Sequence, residues 1–237
     1  MTAGPLALVG GDELRPGNEP IDRVLVDAAA GGPAFVLATA GARRGAAQAV
    51  RNAQAWFAGL GAQVDELPAT TRTHVRDPAN VAAAQRGRLF YLVGGDPGIV
   101  PKILDGSPVW DAIVAAWRGG AALAGSSAGA MALGEWTLIR DRMPGDDRRR
   151  YADALGLLPG VAVLPHFDTF GHRWVDSALA GAPEGAVLLG PDERTGAVWH
   201  GHHWRVLGDG SVTVITSSER RSFRAGDGIE GLPDPDD

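Results

Sequence analysis

The sequence predicts an α/β fold, a mostly parallel sheet with helices on both faces and a β-rich C-terminal part. Three observations predict it. Through the first two-thirds of the 237 residues, short apolar runs alternate with longer segments of helical period. The last third replaces that alternation with closely spaced short runs such as "GAVLLGPDE", "TGAVWHG" and "VTVITSS". The pentapeptide "LVGGD" also occurs twice, at residues 8–12 and 92–96, each time ending an apolar run. Glycine pairs there fit the loops at the carboxyl ends of strands, which line the ligand crevice of an open sheet.

Taken in order, "PLALVGG" reads as the first strand and "AFVLATAG" as the second. Residues 45–60 place Ala49, Ala53, Trp56, Phe57 and Leu60 at helical spacing, a face to lay on the sheet. "GAQVDELPA" is a third strand. "DPANVAAAQRG" is a helix capped by Asp77 with Pro78 at its first position. "RLFYLVGGD" is a fourth strand, "SPVWDAIVAAWRGG" a helix stopped by Gly119 and Gly120, and "AALAG" a fifth strand. The polar stretch "RDRMPGDDRRRYADALGL" reads as an insertion or mobile loop. "GVAVLPHFD", "GAVLLGPDE", "TGAVWHG", "WRVLGDG" and "VTVITSS" then follow as short strands, with "LGDGSV" a tight turn. The expected organisation is a single α/β domain over residues 1–230 and a loose acidic tail over 231–237.

Composition narrows the function. A net charge of −6 argues against a general nucleic-acid binder, which needs a basic field. The absence of cysteine excludes disulfides, thiolate metal sites and a cysteine nucleophile. No basic start leads into a long apolar stretch and no run approaches eighteen apolar residues, so a cytoplasmic protein without a membrane partner is expected. His200, His202 and His203 in "VWHGHHWRV" read as a hairpin, because no carboxylate accompanies them at ligand spacing. Neither metal nor cofactor is expected.

The stretch "LAGSSAGAM" contains Gly125-Ser126-Ser127-Ala128-Gly129, the Gly-x-Ser-x-Gly pattern of a nucleophile elbow, with an apolar run before it and helix-compatible residues after. Ser127 is then the reactive hydroxyl, and the glycines answer a turn too tight for side chains. A serine nucleophile needs a base, and the base needs a group that orients it. His166, delivered at the end of "VAVLPHFD", is better placed than His172. Glu193, between two apolar runs, and Asp141, in the polar stretch after the elbow, are the candidate acids, with Glu193 favoured.

In order and spacing, "LVGG" near the start, "LVGGD" at 92–96, "GSSAGA" at 125–130, "PHFD" at 165–168 and "PDERTGAV" at 191–198 resemble the cyanophycinase and peptidase E group of serine peptidases. That resemblance implies the class I glutamine amidotransferase-like fold, with Ser127 as nucleophile, His166 as base and Glu193 as acid. Asp141 takes the acid's part if the peptidase E arrangement holds. The backbone N–H groups of Ala128 and of the Gly94-Gly95-Asp96 turn, Gly95 above all, would form the oxyanion hole. The resemblance also implies small aspartate-containing peptides or isopeptides as substrate. Asp96 and the arginines Arg43, Arg44 and Arg173 are the expected binding residues, a guanidinium being the natural reader of a carboxylate. The chain departs from the family at Pro97, where cyanophycinases carry a glutamine, and at "TFGHRW", where they carry an Arg- and Gln-rich segment. Both departures point away from cyanophycin itself. A non-catalytic small-molecule binding or regulatory domain on the same fold is the alternative, and a homodimer is compatible with either.

Overall fold

The computed structural model describes residues 2–140 and 148–235. Among these residues the strands form two sheets, of eight and six strands. The first half of the chain builds the parallel part of the larger sheet from β1 (Leu6–Val9), β2 (Ala34–Leu37), β3 (Val64–Glu66), β4 (Leu89–Leu92) and β5 (Ala122–Ser126). The helices α1 (Glu19–Ala29), α2 (Ala46–Gly59), α3 (Pro78–Arg86), α4 (Val100–Leu104) and α5 (Pro108–Arg118) lie between them.

Strand side chains alternate between the two faces, and β1 shows the result. Ala7 and Val9 pack with Ile21 and Leu25 of α1 and with Val50, Ala53 and Phe57 of α2. Leu6 and Leu8 point the other way, into a core shared with Val109, Ile113 and Trp117 of α5. Asp77 caps α3 as its position implies, its Oδ1 accepting the Ala79 N–H at 2.8 Å.

After β5 come α6 (Ala128–Leu133), β6 (Gly134–Arg140), β7 (Arg149–Asp153), β8 (Leu158–Val163), α7 (Val175–Ala180) and β9 (Val187–Pro191). The chain ends with β10 (Thr195–Trp199), β11 (Trp204–Gly208), β12 (Ser211–Ile215), β13 (Arg220–Arg224) and β14 (Gly228–Ile229). The larger sheet runs β14-β11-β10-β1-β5-β4-β2-β3 and the smaller β13-β12-β9-β8-β6-β7. Strand β10 adds antiparallel to β1, pairing Leu6 with Trp199 and Val9 with Gly196. Beyond the parallel strands the larger sheet is therefore antiparallel, the β-rich C-terminal part.

Helices α4 and α7 fall where no element is expected, and four further differences stand out. Helix α1 falls where no element is expected, between the first two strands, and seats Ile21, Leu25 and Ala29 on the sheet. The polar stretch expected as an insertion or loop contributes Arg140 to the end of β6 and residues 149–153 as β7, the two strands pairing antiparallel from Trp136↔Asp153 to Arg140↔Arg149. Arginine-rich β7 lies at a sheet edge, and its charged residues, Arg149 buried and Arg150 and Asp153 exposed, leave no apolar alternation to read. The third difference is β13 and β14, two unexpected edge strands. The fourth is the C-terminal segment, which is not loose as far as Pro235: Trp204 Nε1 donates to Pro233 O at 2.9 Å and Pro235 is buried.

The repeated "LVGGD" acquires a spatial meaning here. Strands β1 and β4 are the two neighbours of β5, so the two copies flank the strand that ends in Ser126.

Candidate active site

Ser127 sits between β5 and α6 with φ 49° and ψ −113°, a conformation rarely adopted by a side-chain-bearing residue. The glycines around it are obligatory. A Cβ on Gly125 would lie 2.5 Å from Gly129 C, and one on Gly129 would lie 2.2 Å from Leu92 O of β4.

His166 follows β8 at φ 52°, its N–H donating to Gly10 O at 2.7 Å. Its ring lies where a Cβ on Gly11 would be, so the first "LVGGD" copy forms a floor for the imidazole. Phe170 also stacks on the ring, centroids 4.7 Å apart, and is the exposed large hydrophobic residue among those described. Glu193 lies in the turn between β9 and β10, held by its own N–H to Asp168 Oδ1 at 3.0 Å and by Arg194 N–H to Gly11 O at 2.9 Å.

These constraints bring three side chains into line. Ser127 Oγ is 3.0 Å from His166 Nε2, and His166 Nδ1 is 2.7 Å from Glu193 Oε1. An ionised carboxylate only accepts, so Nδ1 carries the ring proton and Nε2 offers its lone pair to the Ser127 hydroxyl. Hydroxyl and imidazole open onto a cleft of about 480 Å³, also lined by Gly95, Asp96, Pro97 and Ala128 on one side and by Leu138, Arg149, Phe170 and Trp174 on the other. Among the described residues the N–H groups of Gly95 and Ala128 have no acceptor.

The expected binding residues scatter. Asp96 lines the cleft with its carboxylate engaged, Oδ1 by the Gly98 N–H at 2.9 Å and Oδ2 by Arg43 Nη1 at 3.0 Å. Arg43 thus reaches the rim through Asp96, while Arg44 and Arg173 are exposed and absent from the cleft lining. Asp141 lies outside the described residues. His200, His202 and His203 occupy the β10–β11 hairpin, closed by the His200 N–H to His203 O at 3.2 Å. The arginines that do line the cleft are Arg140 and Arg149, the latter buried with its guanidinium 3.9 Å above the Trp174 ring. Sequence reading misses both because they sit in the polar stretch. It misses Asp168 and Phe170 as well, although both adjoin His166. Glu13 escapes it too, being two residues past a glycine pair that already drew attention.

A cyanophycinase from Trichormus variabilis is 36% identical over 135 residues, 54% of this chain and 45% of that protein. One from Synechococcus elongatus is 31% identical over 159 residues, 65% of this chain and 49% of that protein. The matches thus span about half the length of these curated relatives. The crystal structure of a peptidase from an acI-B1 Actinobacterium superposes with a TM-score of 0.84 at 28% identity, covering 96% of both chains. Residues 6–186 match peptidase family S51, a span that runs from β1 through the elbow and His166 and stops short of Glu193. By that match, over most of its length, the chain belongs to peptidase family S51.

Proposed function

We propose that this protein is a serine peptidase that hydrolyses an amide bond in small acidic peptides or isopeptides through an acyl-enzyme on Ser127. The observation that carries the reading is the unbroken hydrogen-bonded line from Ser127 through His166 to Glu193, on a strained elbow open to a cleft.

In this reading Ser127 Oγ attacks the carbonyl carbon while His166 Nε2 takes the hydroxyl proton, and Glu193 stabilises the imidazolium that forms. The N–H groups of Ala128 and Gly95 meet the oxyanion, each typically contributing about 3 kcal/mol to lowering the barrier. As the tetrahedral intermediate collapses, the C–N bond breaks and His166 returns its proton to the departing amine. Water then gives a proton to His166 as it attacks the ester, and when the C–Oγ bond breaks His166 returns that proton to Ser127 Oγ, releasing the acid.

The acidic preference is supported by Arg149 and Arg140 in the cleft wall. The Arg149 guanidinium, 3.9 Å from the centre of the Trp174 ring, carries donors of the kind that pair with a carboxylate. The family relatives named cyanophycinase are consistent with a peptide of this kind.

A fluorophosphonate probe tests the reading directly. It should label the parent protein and leave Ser127→Ala unlabelled, with both folded by circular dichroism. In a dipeptide panel, aspartyl substrates should exceed asparaginyl analogues by well over tenfold in kcat/KM, since losing a charge-assisted contact costs about 2 kcal/mol. An unlabelled parent means a binding domain. Equal rates across aspartyl, asparaginyl and leucyl dipeptides remove the acidic preference and leave the hydrolase.

A further inference from the structure

Glu13 stands behind the nucleophile without touching it. It lies in the loop between β1 and α1, in the first residue after the first "LVGGD" copy. Its neighbours Asp12 and Leu14 both hold positive φ, 49° and 61°, so the loop is bent sharply on either side of it. The bend is braced from outside: Asn18 Nδ2 donates to Asp12 O at 2.9 Å, and the Asp12 carboxylate faces Arg15 at 3.2 Å and Arg194 at 3.7 Å.

The bend aims the Glu13 carboxylate at two donors on different strands. Oε1 accepts the Gly94 N–H at 2.9 Å, in the turn after β4. Oε2 accepts the Ser126 hydroxyl at 3.0 Å, at the end of β5. Gly94 and Ser126 thus share one carboxylate, and the residues that follow them are Gly95 and Ser127. A Cβ on Gly94 would lie 3.1 Å from Glu13 Oε1 and 3.2 Å from Ser127 Cβ, so the glycine keeps the approach open.

We propose that Glu13 is a positioning residue, clamping the Gly94-Gly95 turn to the elbow so that the Gly95 N–H is aimed at the oxyanion formed on attack by Ser127. The proposal rests on the serine peptidase reading. Two successive glycines leave their peptide planes free to rotate. Tying the first N–H to Glu13 removes that freedom and leaves the second N–H for the reaction. A donor aimed where negative charge develops acts mainly on the transition state, so its misplacement lowers kcat more than it raises KM.

The test compares Glu13→Ala and Glu13→Gln with the parent by fluorophosphonate labelling rate, by kcat and KM on the best aspartyl dipeptide, and by thermal melting. Glutamine can still accept from Gly94 N–H and place its amide against Ser126 Oγ, so it should remain within about fivefold of the parent. Alanine should fall at least thirtyfold in labelling and kcat, with KM within about threefold. If the alanine variant does not fold, Glu13→Asp replaces it, since a carboxylate one methylene shorter does not span both donors; kcat should fall at least tenfold. A labelled parent with an equally reactive alanine or aspartate variant overturns the proposal alone. A glutamine variant as impaired as alanine overturns it too, by showing that charge rather than clamping matters. An unlabelled parent overturns the peptidase reading and this proposal with it.

Discussion

At the scale of single residues, backbone strain marks the site. Ser127, His166 and Arg194 all hold positive φ, and each is fixed by a backbone hydrogen bond to β1 or the loop that follows it: Ser127 N–H to Val9 O, His166 N–H to Gly10 O, Arg194 N–H to Gly11 O. Such conformations cost on the order of 1–3 kcal/mol each and persist only where surrounding contacts over-determine them. In the proposed mechanism the hydroxyl, the imidazole and the carboxylate act as a unit, so Glu193→Gln should lower kcat by roughly 10³–10⁴-fold, as loss of the tautomer-setting acid does in triads generally. Asp141→Asn should cost less than tenfold. Kinetics on both variants decide which acid serves, and the reverse ranking would move the role to Asp141. Ser127, His166 and Glu193 are legible in the sequence because each ends an apolar run, and the end of a buried strand is a defined place. Glu13, Arg140 and Arg149 are not, because a charge in a loop or edge strand looks the same whether it faces water or a cleft.

Among the elements, the turn from β5 into α6 tolerates the least change. Gly129 lets α6 lie directly on β4, with the Leu92 carbonyl where a methyl would stand. Gly129→Ala should therefore destabilise the fold by about 3 kcal/mol, through overpacking against backbone that cannot yield, and should depress probe labelling in whatever remains folded. Chemical denaturation checks the first effect, and wild-type stability in this variant would show that α6 has room to shift. The parallel strands and the caps of α3 and α5 are written in local pattern. Helix α1 is written too, with Ile21, Leu25 and Ala29 at i, i+4 and i+8, but the preceding "RPGNEP" disguises its start. Edge strands β7, β13 and β14 are not, since what makes them strands is a neighbour's free edge rather than their own alternation.

On the scale of the whole molecule, the site joins two sheets. The hydroxyl comes from the larger one, while the imidazole and the carboxylate follow strands of the smaller one. The larger sheet also carries a buried acid, Asp22 on α1, bonded by Trp56 Nε1 of α2 at 2.7 Å. Burial pushes its carboxyl from 3.8 up to about 7 despite the Trp56 bond. Between those values the folded chain keeps a proton that the unfolded chain has released, so stability falls as pH rises from 4 to 7 and stays reduced above, by about 4 kcal/mol at most. Asp22→Asn keeps the acceptor for Trp56 and loses the titration. Its denaturation midpoint should exceed the parent's at pH 8 and vary less between pH 4 and 8; parallel curves for the two proteins would contradict this. The joining of two sheets has another consequence, in time rather than space. The hydroxyl emerges from the ribosome well before the imidazole, and the imidazole before the carboxylate. Strand β1 pairs on one side with β10, made well over a hundred residues later. A nascent chain therefore exposes Ser127 before His166 and Glu193 exist to pair with it, and on the proposed mechanism it becomes able to hydrolyse only once β10 has folded back onto β1.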